Sequence, residues 1–406
     1  MTQTKRPDLT LAVLATLLSV IGVLAIWDAG YARAAANGSW IPRELLTHVP
    51  ATIFAMLCAW GVSKIPSQKI AKIGWWAFWA SLAGLLLVFI PGLGKEIAGA
   101  RRWIFIGPVS IQPSEFAKVG DIDFLAATLA AKPLWNRPRT KDFFDWADRV
   151  AVKSFVRALP FLAVMGLVLL IERSPDLDTA AVVALTSFAM LVIGRVSKQN
   201  LITLFVAGAL ALGYFAFQGG HRVQRLNNHF DRWSQANIDT IGFQTTQAEI
   251  AFASGGMTGV GLAEGRAKHT LPAPTTDFIF ATIGEEFGLV GSLVVIGLLG
   301  WLVWRLMSLA GSTESLFGRL ILVGTAVWVG SQTCANIMMG NGTLPPMGIP
   351  LPFISGGGTS SIAIWIMLGL CQAVVVSGGK PSARASNDQS TLEEAYPEFH
   401  RKVSVR

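Results

Sequence analysis

Charge is what this sequence has least of. Only 14% of its 406 residues are charged, against 52% hydrophobic, where a soluble domain of this length carries about a quarter charged residues. Cysteine is also scarce. Cys58, Cys334 and Cys371 each fall inside an apolar run and form no CxxC pair, which excludes a disulfide framework and a metal-finger arrangement. Strict alternation of apolar and polar residues is missing, which excludes a transmembrane β-barrel. There is no internal repeat. The glycine-rich stretch 254–265 has Gly259, Gly261 and Gly265 at the wrong spacing for a dinucleotide fingerprint and no βαβ pattern around it. It reads instead as a flexible loop packed close to other backbone.

What the chain has in abundance is long charge-free runs of about 20 residues, the mark of transmembrane helices. Runs lie at 9–27 and near 48–64, 72–92, 115–131, 155–172, 178–194, 199–217, 277–304, 317–340 and 359–378. The fold class is therefore all-α, a polytopic membrane protein with about ten transmembrane helices. The first run competes with a cleaved signal peptide, since Ala32, Arg33 and Ala34 resemble a cleavage site. Its length favours a retained helix. An even number of crossings puts both termini on one side. With that side cytoplasmic, 21 of the 33 Lys and Arg residues lie inside and 11 outside, as the positive-inside tendency requires. The 132–157 loop, with seven of them, weighs most. The net charge of +8 then reflects cytoplasmic loops and not a nucleic-acid partner. The transmembrane unit spans 1–378, with an extracytoplasmic loop at 218–276 between helices 7 and 8, and a polar cytoplasmic tail follows at 379–406. Within the loop, 245–252 is expected to form a short interfacial amphipathic helix.

Several groups stand out as candidate chemistry. The stretch 275–288, TTDFIFATIGEEFG, puts Asp277 where a long polar loop meets an apolar helix, with Glu285 and Glu286 further in. Asp277 reads either as a helix N-terminal acid favoured by the helix dipole or as a general base at the membrane surface. Helical spacing makes Glu285 its nearer neighbour and sends Glu286 to the far side. Arg101 and Arg102, beside Trp103, stand on the outer side against the positive-inside tendency. They read either as anchors for a phosphate or acidic group or as interfacial anchors. Glu115 and Lys118 share a helix face and can pair, with Asp121 and Asp123 following. Asp178 suits a helix N-cap. The uncharged loop 336–361 is too rich in Pro and Gly for regular helix. At its end Ser355 and Gly357 precede a helix whose free N–H groups suit a phosphate.

Taken together, GARRWI…IGP…QPSE…K, PDL-x-TA, Gln244…Gln247…SGG…G-x-G, TDFIFA-x-IGEE-x-G and Gln332…Asn336…PPMGIPLPFIS-x-GG resemble the SEDS family (shape, elongation, division and sporulation), whose best-known members are RodA and FtsW. The resemblance runs from about residue 99 to 375. It implies a peptidoglycan glycosyltransferase that polymerises lipid II during cell elongation or division. A GlcNAc 4-hydroxyl would attack MurNAc C1, with undecaprenyl pyrophosphate leaving. It makes Asp277 the catalytic acid–base residue and gives Arg101, Arg102 and Arg222 or Arg225 to the pyrophosphate. Trp103, Glu115, Lys118, Gln247, Ser355 and Gly357 complete the implied substrate-binding set. No metal ligands are implied, and a divalent cation is the one cofactor left open. The implied partners are lipid II, the membrane and a class B penicillin-binding protein. A lipid II transporter and a catalytically weak scaffold for that protein are the alternatives. The chain departs from the family pattern at 272–275, which reads Pro-Ala-Pro-Thr, at Asp178 in place of glycine, at Gly356, and at Gly120, Asp121 and Asp123.

Overall fold

The computed structural model of the protein describes residues 6–97, 100–107, 109–131, 164–171, 176–194, 196, 198–218, 227–240 and 242–377. Arg222, Arg225, the 132–157 loop and the 379–406 tail lie outside them. Helices dominate: α1 (Leu9–Ala36), α2 (Arg43–Ser63), α3 (Ser67–Leu87), α4 (Pro113–Ala131), α5 (Leu177–Ile193), α6 (Lys198–Gln218), α7 (Phe243–Gly255), the single turn α8 (Ala267–Thr270), α9 (Ile279–Ser312), α10 (Leu316–Gly340) and α11 (Gly358–Val376). Among the described residues, six helices are long and apolar enough to cross a membrane: α1, α2, α3, α9, α10 and α11. The expected count of ten is not reached there. Helix α4 carries four charges in its interior, and α5 has only 17 residues.

The expected loop 93–114 contains a small antiparallel sheet in the order β1 (Gly94–Ile97), β2 (Ala100–Ile106), β3 (Val109–Ile111). Its residues explain it. Trp103, Ile104, Phe105 and Ile106 are aromatic or β-branched, the types that suit a strand, and Gly107 turns the chain with a φ of 61°.

Helices α10 and α11 form the centre, with 67% and 72% of their spanning windows buried, against 22% for α2 and 28% for α3. The outer helices turn Trp60, Trp75, Trp76, Trp301 and Trp304 outward, as lipid-facing surfaces do. Small residues set the close crossings inside. A Cβ on Gly369 would lie 2.5 Å from the Ala59 carbonyl, so α11 meets α2 backbone to backbone. At one end Asp8 caps α1, accepting from Leu11 N at 2.9 Å, and pairs with Arg305 of α9. Gln372 of α11 exchanges two hydrogen bonds with the Asp8 backbone, at 2.8 and 2.7 Å. These contacts fasten three helices together. They also hold the Asp8 carboxyl below its usual range: burial pushes it up, and the Arg305 hydrogen bond and charge outweigh that.

Helix α9 has 34 residues, about 51 Å of helix, too long for one crossing of a ~30 Å core. Gly288 breaks it, at φ 64° and ψ −160°. The break orphans two carbonyls and two N–H groups, and the glycine stretch satisfies all four. Val260 and Gly261 donate to the Glu285 and Glu286 carbonyls at 3.0 and 3.1 Å, while Leu289 and Val290 donate to Gly256 O and Met257 O at 2.9 and 3.1 Å. The glycines are dictated by this insertion. A Cβ on Gly255 would lie 2.0 Å from Gly284 O, and one on Gly259 (φ 84°) would lie 2.0 Å from Glu286 O. Gly259→Ala therefore combines a clash with a left-handed backbone, and is expected to cost about 1–3 kcal/mol. Thermal unfolding of the purified variant checks this. An unchanged midpoint would show that the loop does not seat in the break.

Helix α7 contains the expected 245–252 helix. It buries Thr245, Thr246, Ala248 and Ala251, packing on α9.

Candidate active site

Asp277 lies one residue before the α9 N-cap, Phe278, and its backbone is fixed from several sides. Asn336 of α10, fully buried, donates through Nδ2 to Asp277 O at 2.9 Å and to Ile349 O at 2.7 Å. Ser355 Oγ donates to Thr276 O at 2.7 Å, and Gly356 N donates to Thr275 O at 2.8 Å. The uncharged Pro/Gly loop thus serves as a rack for the segment carrying Asp277. Backbone without regular structure needs such partners when it is buried.

Charged neighbours lie around the side-chain carboxyl of Asp277. Burial pushes its pKa up to about 6, the nearby Asp178 charge pushes the same way, and Arg102 opposes both. Arg102 approaches Asp176 at 3.5 Å. Asp176 also accepts from Ser114 Oγ at 3.2 Å and Gln112 Nε2 at 3.3 Å. Asp178 accepts from Gly348 N at 3.2 Å. The N-cap of α5 is Asp176, which accepts from Thr179 N. Asp178, expected in that role, sits in the first turn and looks toward the Gly348 loop instead.

The two arginines part company because neighbours in a strand point to opposite faces. Arg102 turns toward Asp176 and Asp277, while the exposed Arg101 pairs with Glu96 across the sheet at 3.4 Å. Trp103, on the same strand, is half-buried. Glu115 and Lys118 form a buried pair at 2.8 Å. Lys118 also donates to Gln332 Oε1 at 3.1 Å and lies 4.9 Å from the Trp328 ring centre. Gln332 Nε2 in turn donates to Pro350 O at 2.7 Å. Gln332 and Asn336, one turn apart on α10, therefore hold consecutive carbonyls of the same loop. The Glu115–Lys118 pair braces the rack from beneath.

The N–H groups of Ser355, Gly356 and Gly357, just before α11, bond Leu351 O, Thr275 O and Ser355 O, and Ser355 Oγ positions Thr276. The N–H groups left for an anion at this end are those that open α11 itself, from Gly358. One expectation needs correction: Glu285 is committed elsewhere. It accepts from Arg266 N and Ala267 N at 2.9 Å each and from Ser254 Oγ at 3.2 Å, anchoring the turn α8. Gln247 ties α7 to the same turn by accepting from Thr270 Oγ1 at 3.1 Å.

Beside that turn lies a group that sequence reasoning missed. Lys268 Nζ, 1% exposed, donates to Asp28 Oδ1 of α1 at 2.9 Å and to Glu286 Oε1 of α9 at 2.7 Å. Asp28 also accepts from Ala263 N, and Glu286 from Gly265 N. Arg33 adds a bond from α1 to Leu271 O. The approach to Asp277 is thereby pinned to α1 and α9. Among the described residues, no group of three or more His, Cys, Asp or Glu side chains is arranged to hold a metal ion.

Asn336 has the clearest single role here. Asn336→Leu leaves the Asp277 and Ile349 carbonyls without their shared donor. The expected cost is about 1–3 kcal/mol of stability and at least a tenfold loss of turnover from misplacing Asp277, since an ångström of displacement can cost ~100-fold. Turnover and thermal unfolding measured together check it, and wild-type turnover in the variant would remove Asn336 from the site.

Comparison with known proteins gives the family. A family profile described as "Cell cycle protein", grouping FtsW, RodA and SpoVE, matches residues 8–378. A probable peptidoglycan glycosyltransferase FtsW of Nitrosococcus halophilus is 32% identical over 371 residues, covering 90% of this chain and 92% of its own. A solved chain from a peptidoglycan synthase complex, described as coordinating polymerization and crosslinking, superposes with a TM-score of 0.72 at 27% identity, covering 92% of this chain and 99% of its own. The crystal structure of the Thermus thermophilus rod shape determining protein RodA gives 0.64 at 26% identity, covering 92% and 98%. Profile, relative and fold coincide over nine-tenths of the sequence, and the chain is a multi-pass membrane protein belonging to the FtsW/RodA/SpoVE family of cell cycle proteins.

Proposed function

We propose that this chain is a peptidoglycan glycosyltransferase that polymerises lipid II on the outer face of the bacterial cytoplasmic membrane, with both termini in the cytoplasm. The observation that carries the reading is Asp277. It is a carboxylate on backbone held by Asn336, with a cation, Arg102, close enough to act on its ionisation. Asp277 accepts the proton of the GlcNAc 4-hydroxyl as that oxygen attacks MurNAc C1. The new C1–O4 bond forms with inversion while the bond from C1 to the pyrophosphate oxygen breaks. Undecaprenyl pyrophosphate leaves with its electron pair, and Arg102 meets the charge that develops there. Arg101 and Arg222 are assigned to the same anion, and Trp103 and Gln247 to the sugar-facing rim. The FtsW relative is named for this activity, and the solved complex is described as joining polymerization to crosslinking. A class B penicillin-binding protein is accordingly the proposed partner.

The intramembrane charges of α4 fit a brace better than a transport path. Lys118 turns to α10 and Asp121 to Ser187 of α5 at 2.7 Å. Asp123 turns to α3, where a Cβ on Gly74 would meet it. Three neighbours among the described residues thus divide the four charges. The test is incubation of the purified chain, with its transpeptidase partner, and fluorescent lipid II. Glycan strands are expected. Translocation of lipid II across liposomes with no polymer formed would overturn the proposal.

A further inference from the structure

We infer that the loop 256–262 inserts into the lipid leaflet at the Asp277 end of the molecule, as an interfacial wedge against α9. Its residues suit that medium. The segment Gly-Met-Thr-Gly-Val-Gly-Leu contains no ionisable group, and its large side chains point outward: Met257 is 66% exposed, Leu262 50% and Val260 41%. In water such exposure on a loop is a liability. Irregular backbone at membrane depth must satisfy its own polar groups. Here four backbone hydrogen bonds to α9 do so, through Gly256, Met257, Val260 and Gly261.

Depth follows from two helical rulers. Asp8 and Arg305 pair at the opposite end, where a charged pair marks the edge of the hydrocarbon. Twenty residues along α1 from Asp8 reach Asp28, a rise of about 30 Å. Asp28 shares Lys268 with Glu286, so the Lys268 group lies at this level, and it matches the ~30 Å thickness of the core. The second ruler is the part of α9 beyond its break at Gly288. Leu289 is only 16 residues from Arg305, about 24 Å. Gly256 and Met257, bonded to Leu289 and Val290, therefore lie several ångströms below the Lys268 level, on the hydrocarbon side. The α9 surface there is already lipid-facing, with Leu289, Val290, Leu293 and Val294 each about half exposed. Met257 extends that surface. Exposed Glu264 and Arg266 follow immediately and mark where the chain returns to the headgroups. The occupant is lipid acyl chain, because the patch is continuous with a lipid-facing helix and lies within the same thickness.

The position of the loop can be read without substrate. Nitroxide labels are placed at Met257→Cys, Val260→Cys, Glu264→Cys and Leu293→Cys, one at a time, in a full-length chain with Cys58, Cys334 and Cys371 replaced by alanine. Each is reconstituted in phosphatidylethanolamine–phosphatidylglycerol nanodiscs after its thermal unfolding has been matched to the parent. Labels at Met257 and Val260 are expected to follow Leu293, colliding with oxygen several-fold more than with a water-soluble nickel chelate. The Glu264 label is expected to show the reverse. Collision ratios at Met257 and Val260 equal to that at Glu264 would place the loop in water and overturn the inference. Protection of both labels from oxygen and nickel alike would mean that a second copy of the chain covers the patch, and would overturn it equally.

Discussion

Asp277→Asn is expected to lower lipid II polymerisation at pH 7 by about 10²- to 10⁴-fold, the range for removing a general base. The substitution keeps shape and removes only the ability to take a proton. What holds this residue in place is Asn336 on its backbone carbonyl, and the variant retains that bond. The variant should also be at least as stable as the parent at pH 7. The sign follows from the raised pKa. The folded state binds this proton more tightly than the unfolded chain does, so stability falls as pH rises from the ordinary carboxylate range through about 6. A neutral amide removes that cost. Loss of turnover with an unchanged or higher unfolding midpoint is thus the expected pair of results. Polymer at the parental rate would remove Asp277 from the chemistry.

The same pKa fixes a pH profile. A base must be unprotonated to act, so turnover should rise through about pH 6 and level off above it. Asp178 contributes to that position by adding negative charge nearby. Asp178→Asn should shift the acid limb to lower pH and raise turnover at pH 5 relative to the plateau. An unmoved limb would mean that a different group titrates. Asp178 stands where the resembled family pattern has glycine, so this chain is expected to reach full activity at higher pH than a form with glycine there.

Much of this was legible in the residues, for identifiable reasons. Apolar runs announced the helices because lipid tolerates little else at that length. Asp277 stood out because a carboxylate at the head of an apolar run is costly. Arg101 and Arg102 stood out together, yet strand alternation gives them different partners. The strand itself is hidden, since in sequence the segment is only a connection between long helical runs. The break at Gly288 was hidden too. A single glycine in a helical run is common, and its meaning lies in the complementary glycines at 255–261, about thirty positions earlier. In sequence the end of loop 336–361 is only a lead-in to a helix. The fold shows that Gly356 N and Ser355 Oγ hold the carbonyls just before Asp277. Asp28 gave the weakest signal of all, a lone acid within the first helix whose partner lies 240 positions away.

That hidden residue leads to the largest stability effect expected. Lys268→Met should destabilise the protein by about 3–5 kcal/mol, the usual result of removing one partner from a buried ionic group. Asp28 and Glu286 are both almost wholly buried. Without the ammonium they would be two carboxylates sharing one site, each left with a single backbone donor from Ala263 or Gly265. Arginine is not a simple rescue, because its planar fork is larger than an ammonium that reaches two single oxygens at 2.7 and 2.9 Å. The informative rescue is the combination Asp28→Asn, Lys268→Met, Glu286→Gln, which removes all three charges while keeping volume. Buried ion clusters are often replaceable in this way with little loss, so the triple variant should recover most of the unfolding midpoint that the single variant loses. Turnover separates stability from positioning. If the triad only holds the fold together, the triple variant regains both midpoint and activity. If it sets the approach of the segment leading to Asp277, the midpoint returns while kcat stays low and KM changes little. The second outcome is expected, because Lys268 fastens α1 and α9 to the strap between α8 and Asp277. An unchanged midpoint in Lys268→Met alone would show that the three side chains do not meet as the structure has them.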